Sequence, residues 1–327
     1  MNKFIKIIVY SLGILLLIVI GFLTYVKVAL PDVGPPPDIK IVATAEKIER
    51  GSYLAHHVTL CMDCHSTRDW SYFSGPMVAG TEDKGGETFD QKFGFPGKYI
   101  APNITPFHLK DWTDGEIFRA VTSGVSKDGR ALFPIMPHLL YGQLDKNDIE
   151  SIIAFIRTLK PIENNTEVSS SDFPMNFIIN TIPKKPSFTT IPSQHDKLNY
   201  GKYIATASGC MECHTKQVNG KIVGQPYAGG FEFMLPGNTV VRSANITPDK
   251  ETGIGTWTNQ QFVERFKMYS DSVYANVKVA PGTFQTTMPW TMYAGMHQED
   301  LSALFIYLQS LPPINNAVEK FTAANGK

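Results

Sequence analysis

The sequence has no excess of charge of either sign. Its 327 residues contain 30 lysines and arginines and 30 aspartates and glutamates, so the formal net charge at pH 7 is zero. A surface that binds nucleic acid needs a broad field of positive charge, and none is available here. We therefore expect no nucleic-acid partner. The length is sufficient for about two or three domains of ordinary size.

Cysteine is scarce, and the four that are present belong to two copies of the pentapeptide C-x-x-C-H, at residues 61–65 and 210–214. Two cysteines three positions apart on a helical turn face the same way, so their thiols can add across the two vinyl groups of one porphyrin. The histidine that follows then lies under the iron. The motifs predict two covalently bound haem c groups, attached through Cys61, Cys64, Cys210 and Cys213, with His65 and His214 as proximal iron ligands.

Cysteine pairs of this spacing also occur in zinc sites and in redox dithiols. Structural zinc sites usually place their two pairs within about 15 to 20 residues of each other, whereas these pairs lie in separate halves of the chain. A thioredoxin-type dithiol needs a βαβ context, and neither motif is flanked by alternating strands and helices. Both comparisons favour haem. No cysteine is left over for a lipid anchor.

The sequence has one long apolar run without charge, at residues 7–26. About 20 apolar residues are what a helix needs to cross the hydrocarbon core of a membrane. The run exceeds the apolar core of a signal peptide, and Lys27 stands where a cleavage site after Ala29 needs a small side chain, so we predict an uncleaved anchor. Lys3 and Lys6 precede the run, which keeps the N-terminus in the cytoplasm. We therefore expect a single-pass protein of the bacterial cytoplasmic (inner) membrane, with its haem domains on the periplasmic side.

The chain after the apolar run is an internal repeat. Each half carries the same segments in the same order: G-x-Y-[LI]-A at 51–55 and 201–205, N-I-T-P at 103–106 and 245–248, Trp-Thr at 112–113 and 257–258, and Met-Pro at 136–137 and 288–289. Proline-rich stretches without periodicity separate the halves and follow the anchor. The predicted boundaries are 1–30 for the anchor, 31–45 for a stiff linker, 46–162 for domain 1, 163–198 for a second linker, 199–318 for domain 2 and 319–327 for a tail.

Each half is expected to close on an amphipathic helix. In the first half, apolar residues at helical spacing follow Asp145, which is suited to cap the helix, and Pro161 ends the pattern. The second half repeats this pattern. The repeat also places an aromatic residue of each closing helix opposite a glycine of each opening helix, which predicts a close helix crossing. The pairs are Phe155 with Gly51 and Tyr307 with Gly201.

The ligand opposite each proximal histidine decides whether a haem only carries electrons. A methionine thioether gives a six-coordinate iron with a raised potential, whereas an open position gives an enzyme. Met136 and Met288 each lie between a haem motif and a closing helix, and each precedes a proline. Among the methionines that follow the haem motifs, these two lie at equivalent positions of the repeat, whereas Met77 aligns with Tyr227. We therefore predict Met136 and Met288 as the sixth ligands of the two irons. Methionine is also a common core residue, and His138 is an alternative ligand in the first half.

The N-I-T-P and Trp-Thr segments lie between each haem motif and its methionine. One interpretation is turn chemistry, with asparagine and proline in a loop and Thr113 starting the next helix. The other is that polar groups of these segments donate hydrogen bonds to the haem propionates. The candidates are Asn103, Trp112, Asn245 and Trp257. The sequence leaves both interpretations open.

The order of these motifs resembles the cytochrome c subunits of membrane-bound alcohol and gluconate dehydrogenases. The resemblance covers most of residues 46–315, and Phe-Pro-Met-Asn at 173–176 is similar to a Phe-Pro-x-Asn stretch between the haem domains of those subunits. It implies an all-α fold, with two tandem cytochrome c haem domains after one N-terminal transmembrane helix. In that family the haem domains pass electrons from a quinoprotein or flavoprotein dehydrogenase towards membrane quinone or an oxidase. Those subunits usually carry three haems, whereas this sequence has motifs for two.

The expected protein is a membrane-anchored dihaem cytochrome c that carries single electrons between a redox protein donor and a redox protein acceptor. The resemblance implies a periplasmic dehydrogenase or a quinone-linked donor, and a terminal oxidase as the respiratory acceptor. Two alternatives remain. One is a dihaem peroxidase-like enzyme with one open haem, for which His138 is the distal candidate. The other is a fixed cytochrome c subunit of an oxidase complex.

Overall fold

The computed structural model describes residues 2–235 and 239–323. In these ranges helices account for 41% of the residues. The α-helices are α1 (Lys3–Val28), α2 (Ala45–Tyr53), α3 (Cys61–Cys64), α4 (Pro106–Leu109), α5 (Asp114–Ser123), α6 (His138–Tyr141), α7 (Lys146–Ile156), α8 (Met175–Ile178), α9 (Lys197–Ala207), α10 (Cys210–Cys213), α11 (Asn259–Lys267), α12 (Ser272–Ala275), α13 (Trp290–Tyr293) and α14 (Gln298–Gln309).

Short strands add some sheet to this mainly helical fold, which the sequence analysis did not predict. They are β1 (Thr88–Phe89), β2 (Gly97–Ile100), β3 (Ser170–Ser171), β4 (Gln217–Val218), β5 (Lys221–Ile222), β6 (Glu232–Leu235), β7 (Thr239–Arg242) and β8 (Phe321–Thr322). All pairings are antiparallel, in the orders β1-β2-β3, β4-β5 and β6-β7-β8. Strands of two to four residues carry too little alternation to be recognised from sequence.

Helix α1 contains the charge-free apolar run. Its mean hydropathy reaches 2.7 over 18 residues, and none of that window is buried against the rest of the chain. The helix is 26 residues long, which exceeds the roughly 20 residues needed to cross a hydrocarbon core. One N-terminal helix is therefore able to span a membrane by its length and composition.

In each half the opening helix packs on the closing helix, α2 on α7 and α9 on α14. The two backbones touch where the sequence has glycine. A side chain at Gly51 would collide with the carbonyl group of Ser151, and a side chain at Gly201 would collide with that of Ala303. Only glycine allows this approach. The predicted crossing over glycine is confirmed.

The aromatic residues at this crossing differ between the halves. Tyr307 lies over Gly201 as predicted. Its Cβ is 3.0 Å from the position that a Cβ atom at residue 201 would occupy. In the first half, Phe155 packs on the ring of His56, with 5.3 Å between the centroids. The first half has one extra residue between its glycine and its first cysteine, and a π-helical turn at Leu54–Val58 absorbs that residue.

The segments predicted as linkers and tail pack on the halves. Strand β3 lies in the 163–198 linker and pairs with β2, while β8 lies in the tail and pairs with β7. The remainder of the predicted tail, 324–327, lies outside the described residues. In the first linker, the Ile41 amide donates to Asp114 Oδ2 at 2.9 Å. The domain boundaries themselves remain a prediction.

The two halves exchange hydrogen bonds through tyrosines at equivalent positions. Tyr53 Oη, from the first half, donates to Asp300 Oδ2 at 2.6 Å, and Tyr203 Oη, from the second half, donates to Asp148 Oδ2 at 2.6 Å. Asp148 and Asp300 are themselves equivalent residues in the first turns of α7 and α14. The tyrosine of each G-x-Y segment therefore reaches the closing helix of the other half.

The aspartates of this exchange differ in their remaining partners. Arg50 donates to both carboxylate oxygens of Asp148, at 2.9 and 2.8 Å. The residue equivalent to Arg50 is Tyr200, whose hydroxyl donates to Asp300 Oδ1 at 3.0 Å. Both carboxylates are buried, with 5% of Asp148 and 1% of Asp300 exposed. Among the described residues, Asp300 has no cationic partner and depends on the two tyrosines.

We predict that Tyr53→Phe destabilises the protein more than Tyr203→Phe does. Either change removes one hydrogen bond to a buried carboxylate, a loss of about 1 to 3 kcal/mol. Either change also removes the hydrogen bond that the hydroxyl accepts from a backbone amide, of His297 for Tyr53 and of Asp145 for Tyr203. Asp148 keeps Arg50, whereas Asp300 keeps only the hydroxyl of Tyr200. The measurement is urea unfolding of the haem-loaded protein, followed by far-ultraviolet circular dichroism.

Tyr274→Phe is the matched control because 45% of this tyrosine is exposed, and its free energy of unfolding should change by less than about 0.5 kcal/mol. Equal effects of Tyr53→Phe and Tyr274→Phe would show that the exchanged hydrogen bonds contribute nothing to stability.

Candidate haem-binding sites

Each C-x-x-C segment forms one helical turn, α3 or α10. The residue before each turn has a positive φ, 56° at Leu60 and 62° at Gly209, so the two turns start in the same way. All four cysteines are free thiols. Across residues 2–235 and 239–323, no three or more histidine, cysteine or acidic side chains gather where they could hold a metal ion.

The histidine of each motif is oriented by a backbone carbonyl. His65 Nδ1 is 2.7 Å from the Pro102 oxygen, and His214 Nδ1 is 2.8 Å from the Ala244 oxygen. A carbonyl can only accept, so Nδ1 carries the proton and Nε2 keeps its lone pair for a metal. Burial lowers the pKa of both imidazoles below the ordinary value, which keeps them neutral near pH 7. Each histidine thus has the tautomer and charge state of an iron ligand.

The carbonyls that accept from the histidines immediately precede the N-I-T-P loops. In the first loop, Asn103 Oδ1 accepts from the backbone amide and the hydroxyl of Thr105, and Asn103 Nδ2 donates to the Ile162 oxygen at 2.8 Å. The amide of Ile162 returns a hydrogen bond to Thr105 Oγ1. Ile162 belongs to the Leu-x-Pro-Ile turn that ends this half, so the turn and the histidine acceptor are tied together.

The second half repeats this arrangement. Asn245 Oδ1 accepts from the amide and hydroxyl of Thr247, Asn245 Nδ2 donates to the Ile314 oxygen at 2.7 Å, and the Ile314 amide donates to Thr247 Oγ1. The Thr113 and Thr258 hydroxyls cap the helices that follow the two loops, each in a reciprocal capping box. The predicted helix start at Thr113 is confirmed.

These contacts favour the turn interpretation for the two asparagines. The second amide hydrogen of Asn103 is directed to the Asn164 oxygen at 3.1 Å, and that of Asn245 to Thr252 Oγ1 at 3.0 Å. A propionate could bind either amide only by displacing an existing partner. Trp112 is half-buried and 36% of Trp257 is exposed, so their indoles are accessible for such a contact. Propionate binding by all four residues stays a prediction.

A glycine in each half supplies a second contact to the histidine segment. The amides of Gly85 and Gly229 donate to the carbonyls of His65 and His214, both at 2.7 Å. Each glycine has a positive φ, and a side chain would collide with the backbone that precedes the asparagine of the N-I-T-P loop. These glycines could not be recognised as equivalent from sequence because they follow their histidines at different distances along the chain.

The structure also corrects one alignment of the repeat. The Ile104 amide donates to the Asp83 oxygen, as the Ile246 amide donates to the Tyr227 oxygen. Asp83 and Tyr227 also share a positive φ of 64° and 61°. Tyr227 is therefore the counterpart of Asp83 and not of Met77. The two loops differ in length by several residues, which displaced the alignment.

Met136 and Met288 occupy the same turn in the two halves. The His138 amide donates to the Met136 carbonyl at 2.7 Å, and the Trp290 amide donates to the Met288 carbonyl at 2.8 Å. Both methionines are half-buried and pack against the core. Their role as sixth ligands stays a prediction.

A tyrosine that the sequence analysis missed links each methionine turn to its cysteine turn. Tyr141 Oη donates to the Thr59 oxygen at 2.5 Å, and Tyr293 Oη donates to the Ser208 oxygen at 2.6 Å. Thr59 and Ser208 each stand two residues before the first cysteine of a motif. The signal was present as Met-Pro-x-x-x-Tyr in both halves.

No family model matches the chain. It is 24% identical over 301 residues to the cytochrome c subunit of a quinone-type alcohol dehydrogenase from Gluconacetobacter polyoxogenes, covering 86% of this chain and 59% of that protein. It is 26% identical over 281 residues to the cytochrome subunit of a fructose dehydrogenase from Gluconobacter japonicus, covering 81% and 52%. A shorter match, 36% over 118 residues, is to the cytochrome c subunit of a gluconate 2-dehydrogenase from Pantoea cypripedii, covering 36% and 24%.

This chain resembles the cytochrome c subunits of dehydrogenases. The resemblance expected from the motifs is therefore confirmed. The chain spans little more than half the length of the first two of these relatives.

The donor groups of each half fit haem c, the group that the names of these cytochrome c subunits imply. Each half offers two free thiols on one helical turn and a neutral imidazole whose Nε2 is free of the carbonyl contact. A methionine turn is connected to the same segment through a tyrosine. Thiols, imidazole and thioether together are the ligand set of a His/Met c-type haem.

The residue after each Met-Pro pair differs between the halves, histidine in the first and tryptophan in the second. His138 is completely buried and its ring packs against Gly124, whereas the equivalent Trp290 stacks on Tyr269 with 5.1 Å between ring centroids. Within the described residues, neither ring nitrogen of His138 has a hydrogen-bond partner. Burial lowers the pKa of His138 to about 4, so the ring is neutral near pH 7.

We predict that Asn103→Ala lowers the free energy of unfolding by about 1 to 3 kcal/mol, because it leaves the buried amide of Thr105 and the half-buried carbonyl of Ile162 without the partners that Asn103 supplies. The pH dependence of the haem potential should stay unchanged, since the turn interpretation gives Asn103 no contact with a propionate. Urea unfolding and redox titrations at several pH values measure the two effects.

Asn147→Ala is a suitable control because Asn147 is exposed on α7. A variant Asn103→Ala with unaltered stability but an altered pH dependence of the potential would favour the propionate interpretation instead.

Proposed function

We propose that the protein is a membrane-anchored dihaem cytochrome c that carries single electrons between an extracytoplasmic dehydrogenase or quinone-linked donor and a respiratory acceptor. The observation that carries this proposal is the duplicated histidine geometry. Two neutral imidazoles, each next to a C-x-x-C turn, have Nδ1 bound to a backbone carbonyl and Nε2 directed away from that bond. The relatives support an electron-transfer role because they are cytochrome c subunits of dehydrogenases.

In this proposal the chain forms two tandem cytochrome c domains with one covalent haem c each. Cys61 and Cys64 would hold one haem through thioether links, and Cys210 and Cys213 the other. His65 with Met136, and His214 with Met288, would bind the two irons. When bound, each haem iron supplies one-electron chemistry by changing between its ferric and ferrous states. The residues of the chain hold both axial ligands in place through each change.

Two networks in each half resist movement of those ligands. The N-I-T-P loop fixes the carbonyl that orients the histidine, and the tyrosine of the methionine turn fixes that turn to the cysteine segment. Buried polar groups with all partners in place form rigid networks. A rigid ligand set keeps the reorganisation that accompanies electron transfer small.

Helix α1 would hold the protein in the bacterial cytoplasmic membrane, with the haem domains on the periplasmic side. Lys3 and Lys6 at its start favour this orientation by the positive-inside rule. Confinement to the membrane surface raises the effective concentration of a partner that lies in the same membrane. A periplasmic dehydrogenase is the proposed donor, in analogy with the relatives, and a terminal oxidase is the proposed acceptor.

A dihaem peroxidase-like enzyme is the second candidate, and His138 is the observation that favours it. A buried neutral imidazole without hydrogen-bond partners among the described residues stands two positions from Met136, and the second half has tryptophan there. Such an enzyme would leave one iron open and use the imidazole beside it. A fixed subunit of an oxidase complex has the same ligand set as the carrier, and co-purification from detergent-solubilised membranes separates the two.

The test of the proposed function is the optical spectrum of the purified protein, oxidised and reduced, with and without carbon monoxide. We expect two low-spin haems, a methionine-to-iron charge-transfer band and no change on adding carbon monoxide. A high-spin or carbon monoxide-binding haem in the wild-type protein would contradict the carrier and support the enzyme.

We predict that Met136→Ala lowers the potential of one haem and lets about half of the total haem bind carbon monoxide. The thioether stabilises the reduced iron and fills the sixth position, and both effects are lost without it. A redox titration and a carbon monoxide difference spectrum measure the change.

Met77→Ala is the control, since Met77 lies in the same half, between the haem motif and the closing helix. It should leave both potentials in place. An unchanged titration for Met136→Ala would refute the ligand assignment, and a new ligand from His138 would be recognised by a lowered potential without carbon monoxide binding.

A further inference from the structure

The C-terminal end of helix α1 is covered by a segment from the middle of the chain. Helix α8 and the 3-10 turn Ile179–Thr181 that follows it both contact α1. Lys27 Nζ donates to the Asn176 oxygen at 2.8 Å and lies 5.0 Å from the centroid of the Phe177 ring. The two partners are 149 residues apart in the chain. The linker between the halves therefore returns to the point where α1 ends.

The same segment exposes large apolar side chains. Phe173 is 80% exposed and Ile178 is 44% exposed. Phe173 packs edge to face with Phe177, at 6.4 Å between centroids, so the exposed ring is continuous with the ring beside Lys27. Helix α1 itself also carries a long run of exposed apolar side chains. An exposed apolar cluster of this kind marks a contact surface.

Phe173 and Ile178 lie beside the end of α1, and this location indicates that the membrane surface covers them. If α1 crosses a membrane, Lys27 at its outer end lies at the level of the headgroups, where lysine side chains extend their ammonium groups into the interface. Asn176 and Phe177 touch Lys27, so they lie at the same level. Phe173 and Ile178 then stand beside the boundary between headgroups and acyl chains, which is where apolar side chains of peripheral segments insert.

We propose that residues 173–178 insert into the outer leaflet of the membrane that α1 crosses and form a second, interfacial contact with lipid. This inference rests on the proposed membrane anchor. The occupant is the lipid boundary itself, because α1 continues directly from this surface into the bilayer. Lys184 and Lys185 follow in the chain and are exposed. Two contacts, one spanning and one interfacial, restrict the rotation of the haem domains above the membrane.

The experiment uses the full-length haem-loaded protein with the photo-crosslinking amino acid p-benzoylphenylalanine in place of Phe173. The protein is reconstituted into vesicles of phosphatidylcholine and phosphatidylglycerol, floated on a density gradient, irradiated and analysed by mass spectrometry. The matched control carries the same amino acid in place of Phe284, which is 45% exposed in the second half. We expect lipid adducts at position 173 at several times the yield at position 284.

Flotation separates failure of the anchor from failure of the interfacial contact. Protein that stays at the bottom of the gradient would refute the anchor, and the inference with it. Protein that floats without lipid adducts at position 173, or with equal adducts at both positions, would leave the anchor in place and overturn the interfacial contact. Adducts at position 173 to a second copy of the chain would overturn it in favour of a dimer surface. Because Phe173 is mostly exposed, its replacement is not expected to disturb folding.

Discussion

The contact between the backbones of the opening and closing helices holds each half of this protein together. At Gly51 and Gly201 the helices approach so closely that a methyl group would not fit. That approach brings the N-terminus of each closing helix to the interface between the halves, and it brings the haem motif, which follows the opening helix, into the core.

Around this crossing, each site is assembled from three loops that are distant in sequence. The histidine segment is tied to the N-I-T-P loop through a carbonyl, and the methionine turn is tied to the cysteine segment through Tyr141 or Tyr293. Both connections use backbone acceptors, so substitution elsewhere in the loops leaves them available. The same two connections occur in both halves, which explains why short motifs separated by variable stretches repeat in this order.

Much of this could be predicted from sequence because the evidence was local. The C-x-x-C-H turns, helix α1, the cap at Thr113 and the stripe of the closing helix each depend on neighbouring residues. The contacts that were missed join distant residues or lie in loops of unequal length. Gly85 and Gly229 follow their histidines at different distances, and Tyr53 bonds to a residue 247 positions away. A repeat shows that two tyrosines are equivalent, but it cannot show whether each one bonds within its own half or across to the other.

The reciprocal tyrosine exchange bears on how a duplicated chain of this kind arises. An interface in which residue i of one half contacts residue j of the other, and the reverse, has the pattern of a twofold homodimer. Joining two such subunits in one chain preserves the pattern and removes the requirement that both copies stay identical. Arg50 and Tyr200 occupy the same place in the two copies and satisfy equivalent aspartates by different chemistry. Because the two halves are joined in one chain, each half can have an electrostatic environment of its own while the reciprocal contact between them is kept.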